Sequence, residues 1–281
     1  MKTAEQIKGA IRNISKEKGV NPNSLLQMCL FEGILEKLSK SEYRENFILK
    51  GGLLVSSLIG VDMRSTMDMD TTIKGIPVNE ETITRIINEI LDIEISYKLI
   101  KLTPIRNADV YEDFSASIEC KFGKINARLN IDITTGDVIT PREIKYSYSK
   151  ILEEGTISII TYTIETILAE KFETISSRNI TTTRARDFYD LYMIYNMYNN
   201  KINQEILGEA IVKTARQRGS LKTIRQYKEI VELFKINSTI KNIWDRYAKN
   251  NPYTKDIKFL DTVEIYEKIG NILDLDKIKN V

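Results

Sequence analysis

The chain has 281 residues, 42% of them hydrophobic, and a formal net charge of +2. This length suits one large or two ordinary domains with a packed core, and the near balance of charges means that any contact with nucleic acid must come from a local patch. Histidine is absent from the sequence, which excludes Ser-His-Asp and Cys-His catalysis and zincin-type metal sites. Carboxylates, Lys, Arg, hydroxyl groups and a bound metal remain, and these suffice for phosphoryl transfer.

The cellular compartment is predicted from the cysteines and the apolar runs. Cys29 and Cys120 lie far apart and lack metal-binding or CxxC spacing, which is typical of reduced thiols. No apolar signal-peptide segment follows Met1, and no apolar run is long enough to span a bilayer. We therefore expect a cytoplasmic protein with no membrane partner.

The first half of the chain alternates between helical and extended patterns. The predicted elements, in order, are a helix over 3–18, a helix over 25–38, a strand over 47–49, a short helix after Gly51-Gly52, a strand carrying Asp68 and Asp70, a helix over 79–91 and strands over 95–103, 108–122 and 124–134. Gly19 is expected to end the first helix, and Asn21 to cap the second.

The second half of the chain is almost purely helical in pattern. The predicted helices span 164–176, 184–198, 204–216, 221–234, 239–249 and 262–273. Pro141 and the polar segment 147–155 mark a boundary near residue 155. The order of elements predicts an α+β fold, with a small mixed sheet and its helices in residues 1–155 and a helical domain in residues 156–281.

Asp68 and Asp70 are the first candidates for a chemical role. Strand side chains alternate between faces, so both carboxylates should point the same way. Neighbouring carboxylates repel each other unless a cation lies between them, and hard oxygen ligands suit Mg²⁺. A solvated strand end is the alternative. A calcium EF-hand fails as an explanation, because Ile73 and Asn79 occupy the positions that need Gly and Glu.

Gly51 and Gly52 open a helix directly after a strand. Bare backbone N–H groups at a helix start suit a phosphate, although a simple strand-to-helix turn would need the same residues, and no P-loop lysine follows. Arg64 and Thr66 have the strand parity of Asp68 and should face the same site. Arg64 could meet a triphosphate there, or could pair with Asp62 instead.

Asp132 is a third candidate carboxylate, in a strand where Leu129, Ile131 and Ile133 alternate as core. On a strand beside Asp70 it would complete a metal site or deprotonate an attacking hydroxyl. The polar face of an antiparallel strand remains the alternative.

The helical half carries polar residues at helical spacing. Lys171, Thr174 and Arg178 share one face, and Arg186 and Asp190 are spaced as an i, i+4 ion pair. Such residues commonly form solvated ion pairs of little consequence, so spacing alone leaves their role open.

These motifs together carry a resemblance to a family. KGG, RSTMDMD, NIDI, AEKFETISSR and RARDFYDLY follow one another over residues 47–195. This series resembles the AbiEii family, nucleotidyltransferase toxins of bacterial abortive-infection systems akin to the MenT toxins. The resemblance implies a polymerase-β-like core with an added helical domain. It also implies transfer of a nucleotide from an NTP, with Mg²⁺ or Mn²⁺, to an acceptor RNA such as the 3′ end of tRNA, and a cognate antitoxin encoded nearby.

The resemblance also implies residue roles. Gly51 and Gly52 would hold the triphosphate, Asp68 and Asp70 would bind the metal, and Lys171 would contact phosphate. Asp187 would be a further essential acid, supported by Arg186 and Asp190. Two departures from the family pattern stand out, since Leu53 replaces a hydroxyl residue and Thr71 replaces an aromatic one. Ser56 or Ser57 could supply the hydroxyl that Leu53 lacks.

A basic segment suggests an RNA contact. Six basic residues and no acid occur between residues 213 and 228: Lys213, Arg216, Arg218, Lys222, Arg225 and Lys228. A phosphate-tracking patch and a solvated helical surface both fit. The rival functions are transfer to a protein hydroxyl or a small molecule, and a non-catalytic module that binds nucleotide or antitoxin.

Overall fold

The computed structural model describes residues 3–91, 97–105 and 113–274. The chain forms two compact units, Met1–Asp137 with Glu143–Tyr162, and Val138–Arg142 with Thr163–Val281. The division predicted after residue 155 falls just before the last strand of the first unit. Parts of two predicted strands, residues 95–96 and 108–112, lie outside the described residues.

The described residues of the first unit form a seven-stranded mixed sheet and four α-helices. The helices are α1 (Ala4–Lys18), α2 (Pro22–Lys40), α3 (Gly51–Ile59) and α4 (Glu80–Leu91). The strands are β1 (Phe47–Lys50), β2 (Asp68–Ile73), β3 (Tyr97–Ile105), β4 (Asp113–Phe122), β5 (Ile125–Thr135), β6 (Ile144–Ser149) and β7 (Thr156–Thr161). The strand order is β3-β4-β5-β2-β1-β7-β6, with β1–β7 and β2–β5 parallel and the other pairs antiparallel.

The ends of the first helices follow local sequence signals. Thr3 and Gln6 form a capping box at the start of α1, and Gly19, at a φ of 67°, ends it in the left-handed conformation. The Asn21 side chain accepts backbone N–H groups at the start of α2, where Pro22 needs no donor. These predicted helix boundaries are confirmed.

The sheet has one apolar and one polar face where β2 and β5 meet. Met69 and Ile73 of β2 and Ile131 and Ile133 of β5 are buried in the hydrophobic core. Strand alternation therefore turns Asp68 and Asp70, with Asn130 and Asp132, to the opposite face. The same pattern that builds the core thus gathers carboxylates on the other side of the sheet.

Residues 147–155, predicted as a polar boundary between domains, instead belong to the hairpin of β6 and β7. The segment contains the end of β6 and a turn in which the Lys150 N–H donates to the Gly155 carbonyl. Tyr148 is the buried residue of β6, an edge strand with little apolar alternation to reveal it. β7 buries Ile157 and Ile159 and pairs with β1, which is why the first unit extends to Tyr162.

The second unit is helical, as predicted. Its helices are α5 (Ile164–Arg178), α6 (Ala185–Tyr198), α7 (Gln204–Gln217), α8 (Leu221–Arg225), α9 (Tyr227–Ile236), α10 (Ser238–Asn250) and α11 (Phe259–Gly270). The single helix predicted over 221–234 is two helices, because Gln226 leaves helical geometry at φ −91° and ψ 19°. Aromatic rings fill the core, with Phe172 stacked on Tyr266 at 4.6 Å between centroids. None of the helices in the described ranges combines the length and apolar character needed to cross a membrane.

Candidate functional site

Three carboxylates share the polar face of the central strands. β2 and β5 pair in parallel, with Asp70 opposite Asp132 and Asp68 opposite Asn130. Asp68 is exposed, and Asp70 and Asp132 are half-buried. The structure therefore brings Asp68, Asp70 and Asp132 onto adjacent positions of one face that solvent can reach.

The N-terminus of α3 is linked to this face by a hydrogen bond. The Gly52 N–H donates to Oδ2 of Asp70 over 3.1 Å. A carboxylate at a helix start is favoured by the helix dipole as well as by the bond itself. Asp70 thus connects the two parts of the sequence that were predicted to bind phosphate and metal.

The carboxylate face fits a divalent ion that is completed by substrate. In the part of the chain that the structure describes, no three Asp, Glu or Cys side chains converge closely enough to enclose a metal by themselves. Mg²⁺ is commonly held by one or two carboxylates, with waters and substrate phosphates as the other ligands. Asp68, Asp70 and Asp132 offer oxygen donors of that kind.

Glycine is needed at positions 51 and 52 because atoms of neighbouring side chains lie too close to leave room for a Cβ. Gly51 has a φ of +63°, and a Cβ there would lie 1.9 Å from Oδ2 of Asp70. A Cβ on Gly52 would lie 2.6 Å from Oγ1 of Thr66 and 2.7 Å from Nη1 of Arg64. Larger residues at either position would push the surrounding side chains away.

Arg64 and Thr66 precede β2 rather than lying in it, so strand parity does not orient them. Arg64 is 3% exposed, and its Nη1 donates to the carbonyls of Gly52 (3.0 Å) and Ser65 (3.2 Å). Thr66 Oγ1 donates to the Asp68 carbonyl over 3.2 Å. Both side chains are buried and lie against Gly52. Direct contact of Arg64 with a triphosphate stays a prediction.

The hydroxyls expected to compensate for Leu53 are engaged or buried. Ser56 is fully buried, and Ser57 Oγ lies 2.8 Å from the Tyr146 hydroxyl. Thr71, the second departure from the family pattern, donates to the Asp132 carbonyl over 3.1 Å and so joins β2 to β5.

Lys50 and Asp137 are polar residues of this region that sequence reasoning missed. Lys50 lies opposite Asp70 in the β1–β2 register, and its ammonium pairs with Asp137, which also accepts the Thr134 hydroxyl over 2.7 Å. Burial alone would raise the pKa of Asp137, but the charge of Lys50 and these hydrogen bonds lower it below its usual value. A lysine that ends an otherwise apolar strand just before the glycines was the available signal.

A separate charged cluster lies inside the helical unit. Lys171 Nζ lies 2.6 Å from Oδ1 of Asp187 and 2.9 Å from Oδ2 of Asp190. Arg184 Nε lies 2.6 Å from Oδ2 of Asp187. Both aspartates are buried, whereas Arg186 is exposed. The structure therefore brings Lys171, Asp187 and Asp190 together as buried ion pairs, unlike the solvated pairs that spacing allowed.

Acidic residues from elsewhere in the chain partly neutralise the basic segment. Arg218 pairs with Glu170 at 2.8 Å and with Glu173 at 2.7 Å, and Lys213 pairs with Glu209 at 2.6 Å. Such pairs reduce the charge available for RNA, so the patch is weaker than the sequence indicates.

Comparisons with known proteins bear on the family and the fold of the chain. A family model described as the nucleotidyl transferase AbiEii toxin of type IV toxin–antitoxin systems matches residues 33–265. Two crystal structures from Helicobacter pylori, JHP933 and a candidate nucleotidyltransferase, each have a TM-score of 0.50 and 15% identity; both matches cover 93% of this chain, and they cover 97% and 98% of those chains. No curated protein matches the chain. The two structures confirm the predicted nucleotidyltransferase-like fold.

Proposed function

Because this chain belongs to the AbiEii family of nucleotidyltransferase toxins from type IV toxin–antitoxin systems, we propose that it transfers a nucleotide from an NTP to an acceptor RNA. The observation that carries the proposal is the parallel β2–β5 register, which places Asp70 beside Asp132 while the Gly52 N–H holds Asp70. Carboxylates beside a helix N-terminus are what a metal-bound triphosphate needs.

The proposed reaction joins the acceptor hydroxyl to the α-phosphorus of the NTP. The new P–O bond replaces the bond to pyrophosphate, which leaves, and Asp132 accepts the hydroxyl proton. Asp68 and Asp70 would hold Mg²⁺ or Mn²⁺ together with substrate oxygens, and Asp132 would complete the metal site if it does not act as the base. When bound, the ion neutralises charge on the phosphates. The turn at Gly51 and Gly52 would hold the triphosphate by letting it approach the backbone closely, while the Gly52 N–H stays bonded to Asp70.

Roles in the helical unit are also part of the proposal. Lys171 contacts nucleotide phosphate, Asp187 is essential, and Arg186 and Asp190 support them. The buried ion pairs of Lys171 with both aspartates fix its ammonium, and fixed cations stabilise transferring phosphoryl groups.

The biological role that we propose follows from membership of the family. The acceptor is the 3′ end of tRNA, its modification blocks growth during phage infection, and an antitoxin encoded nearby counteracts the toxin. Family membership supports the toxin role, and the basic residues of α7 and α8 support a nucleic-acid acceptor only weakly because several are paired.

The test is incorporation of label into RNA. Purified protein is incubated with total RNA and each labelled NTP in turn, with Mg²⁺ or with EDTA, and the labelled 3′ ends are sequenced. We expect one NTP to label tRNA only with the metal. Asp70→Asn should lower incorporation by about 100-fold or more, since it removes a metal-binding charge.

Asp62→Asn is the matched control, because Asp62 is an exposed carboxylate outside β2. Full activity of Asp70→Asn would contradict the assigned metal site. Label found in protein or in a small molecule would favour the rival acceptors, and no label anywhere would favour a non-catalytic binding module.

A further inference from the structure

We propose that Lys50 binds a phosphate group of the NTP, and that Asp137 holds its ammonium in place for this purpose. This inference rests on the proposed function and gives a role to Lys50, which belongs to the KGG motif but was assigned none there or by the resemblance. Lys50 ends β1 immediately before the glycine turn and lies opposite Asp70 in the strand register. Its side chain therefore extends over the face that carries the three carboxylates.

The ammonium of Lys50 is fixed rather than solvated. Its side chain is 12% exposed, and that of its partner Asp137 is 17% exposed. The Tyr162 ring lies below it, with 5.8 Å from Nζ to the ring centroid, and the Thr134 hydroxyl donates to the same oxygen of Asp137. A lysine so far from water needs such partners, and these hold Nζ in one place.

The charges of this face require a cation. Asp68, Asp70 and Asp132 lie side by side, and a triphosphate that approaches them meets repulsion at short range. A divalent ion offsets two of these charges. Lys50 places an ammonium one strand away, its charge offset in part by Asp137. An ammonium has three donors, so Lys50 can keep its contact with Asp137 while it bonds a phosphate oxygen.

Three donors near the glycine turn are already engaged or buried. The Gly52 N–H is bonded to Asp70, Ser56 is fully buried, and Ser57 is bonded to Tyr146. Leu53 has no hydroxyl to offer. Lys50 is placed to supply the contact that a hydroxyl residue at position 53 would make.

The alternative is an ion pair that only stabilises the first unit. The two roles separate in a binding titration of the full chain with each of the four NTPs and Mg²⁺, repeated with the matching nucleosides. Lys50→Met should weaken NTP binding by about tenfold or more and leave nucleoside binding unchanged, because a nucleoside has no phosphate. Lys50→Arg should retain most of the affinity.

Two further variants complete the experiment. Lys50→Met combined with Asp137→Asn leaves no buried charge unpaired, so it stays folded by thermal melting if the single variant does not, and it should show the same weak NTP binding. Lys74→Met is the control, because Lys74 follows β2 and pairs with Glu143 while 63% exposed.

The outcomes distinguish this inference from the proposed function. Wild-type NTP affinity in a folded Lys50→Met or double variant would overturn the role of Lys50 alone. Equal loss of NTP and nucleoside affinity would show a structural role and overturn it too. A wild-type chain that binds no NTP would overturn the proposed function together with the inference.

Discussion

The position of Asp70 depends on the first two residues of α3, Gly51 and Gly52, as well as on its own strand. Its Oδ2 accepts the Gly52 N–H and occupies the space where a side chain on Gly51 would begin. The position of this carboxylate is therefore set by the absence of a single carbon atom. Substitutions at Gly51 should consequently act on the metal site before they act on the fold.

Gly51→Ala should abolish RNA labelling while costing about 1–3 kcal/mol of unfolding free energy, because the new Cβ would lie 1.9 Å from Oδ2 of Asp70. Gly19→Ala is the control, since Gly19 has a similar φ of +67° with no atom within 4 Å of the added Cβ. It should lose comparable stability and keep activity. Labelling assays and urea unfolding of both variants test this, and an active Gly51→Ala would show that Asp70 can move without loss.

Individual site residues were predictable where strand alternation governs them. Alternation alone places Asp68 and Asp70 on one face, and β5 is identified by its alternating apolar residues. The burial of Arg64 was not predictable, because the strand begins at Asp68 and the preceding turn folds back under Gly52. Asp137 was missed since its partner Lys50 is distant in sequence.

At the scale of elements, two glutamates of α2 contact the turn between β6 and β7, and their pKa values are shifted in opposite directions. Glu32 is buried and accepts the Ile151 N–H over 2.8 Å. Burial raises the pKa of Glu32 from 4.5 to about 8, more than the Ile151 bond and Lys150 lower it. Glu36 is half-buried and pairs with Lys150 of the turn at 3.3 Å, and its hydrogen bond from Lys40 is the main cause of its lowered pKa.

The raised pKa of Glu32 predicts stability that falls as pH rises from about 4.5 to 8, because the unfolded chain releases a proton that the folded chain keeps. Glu32→Gln keeps an acceptor for Ile151 without this cost. At pH 8 it should be more stable than the wild-type chain by about 3 kcal/mol, with little difference at pH 4. Denaturant unfolding across this range is the measurement.

Glu36→Gln should change the unfolding free energy in the opposite direction to Glu32→Gln. Its lowered pKa contributes stability above pH 4.5 that is lost as pH falls through the folded-state pKa, so the substitution should weaken the protein at neutral pH only. For Glu32 itself, if the unfolding free energies of Glu32→Gln and the wild-type chain run parallel across pH, Glu32 is not protonated in the folded chain.

Elements with a regular apolar period were predictable, and the others were not. α1, α2 and α5 combine such a period with a capping side chain. β6 has a single buried residue, Tyr148, and owes its existence to pairing with β7. The break at Gln226 lies within a continuous helical pattern, so no signal in the sequence marks the separation of α8 from α9.

At the scale of the whole molecule, the chain enters the second unit twice. Residues Val138–Arg142 belong to it, and the chain then returns to the first unit to form β6 and β7. The short segment is held by its backbone, since the Thr140 N–H donates to Thr166 Oγ1 over 3.0 Å and the Thr140 carbonyl accepts the Thr163 hydroxyl over 2.9 Å. This excursion could not be read from sequence, where Pro141 indicated only a boundary.

Thr166→Val should destabilise the protein by about 1–3 kcal/mol, because it removes the acceptor of a buried N–H while keeping side-chain volume. Thr140→Val is the matched control. The Thr140 hydroxyl is buried with no hydrogen-bond partner among the described residues, so its removal should be neutral or stabilising. Melting temperatures of the two variants are the measurement, and equal losses would show that the hydrogen bond accepted by Thr166 is not what holds this segment.

The position of β1 at the centre of the sheet has a consequence for synthesis. Ile48 pairs with Thr72 on one side but with Ile160 on the other, so a growing chain on the ribosome carries an open strand edge until β7 emerges. Asp70 likewise has no Asp132 beside it until β5 has been synthesised. An open edge invites pairing with other chains. A growing chain therefore carries the complete carboxylate face only once β5, which ends at Thr135 of 281 residues, has emerged.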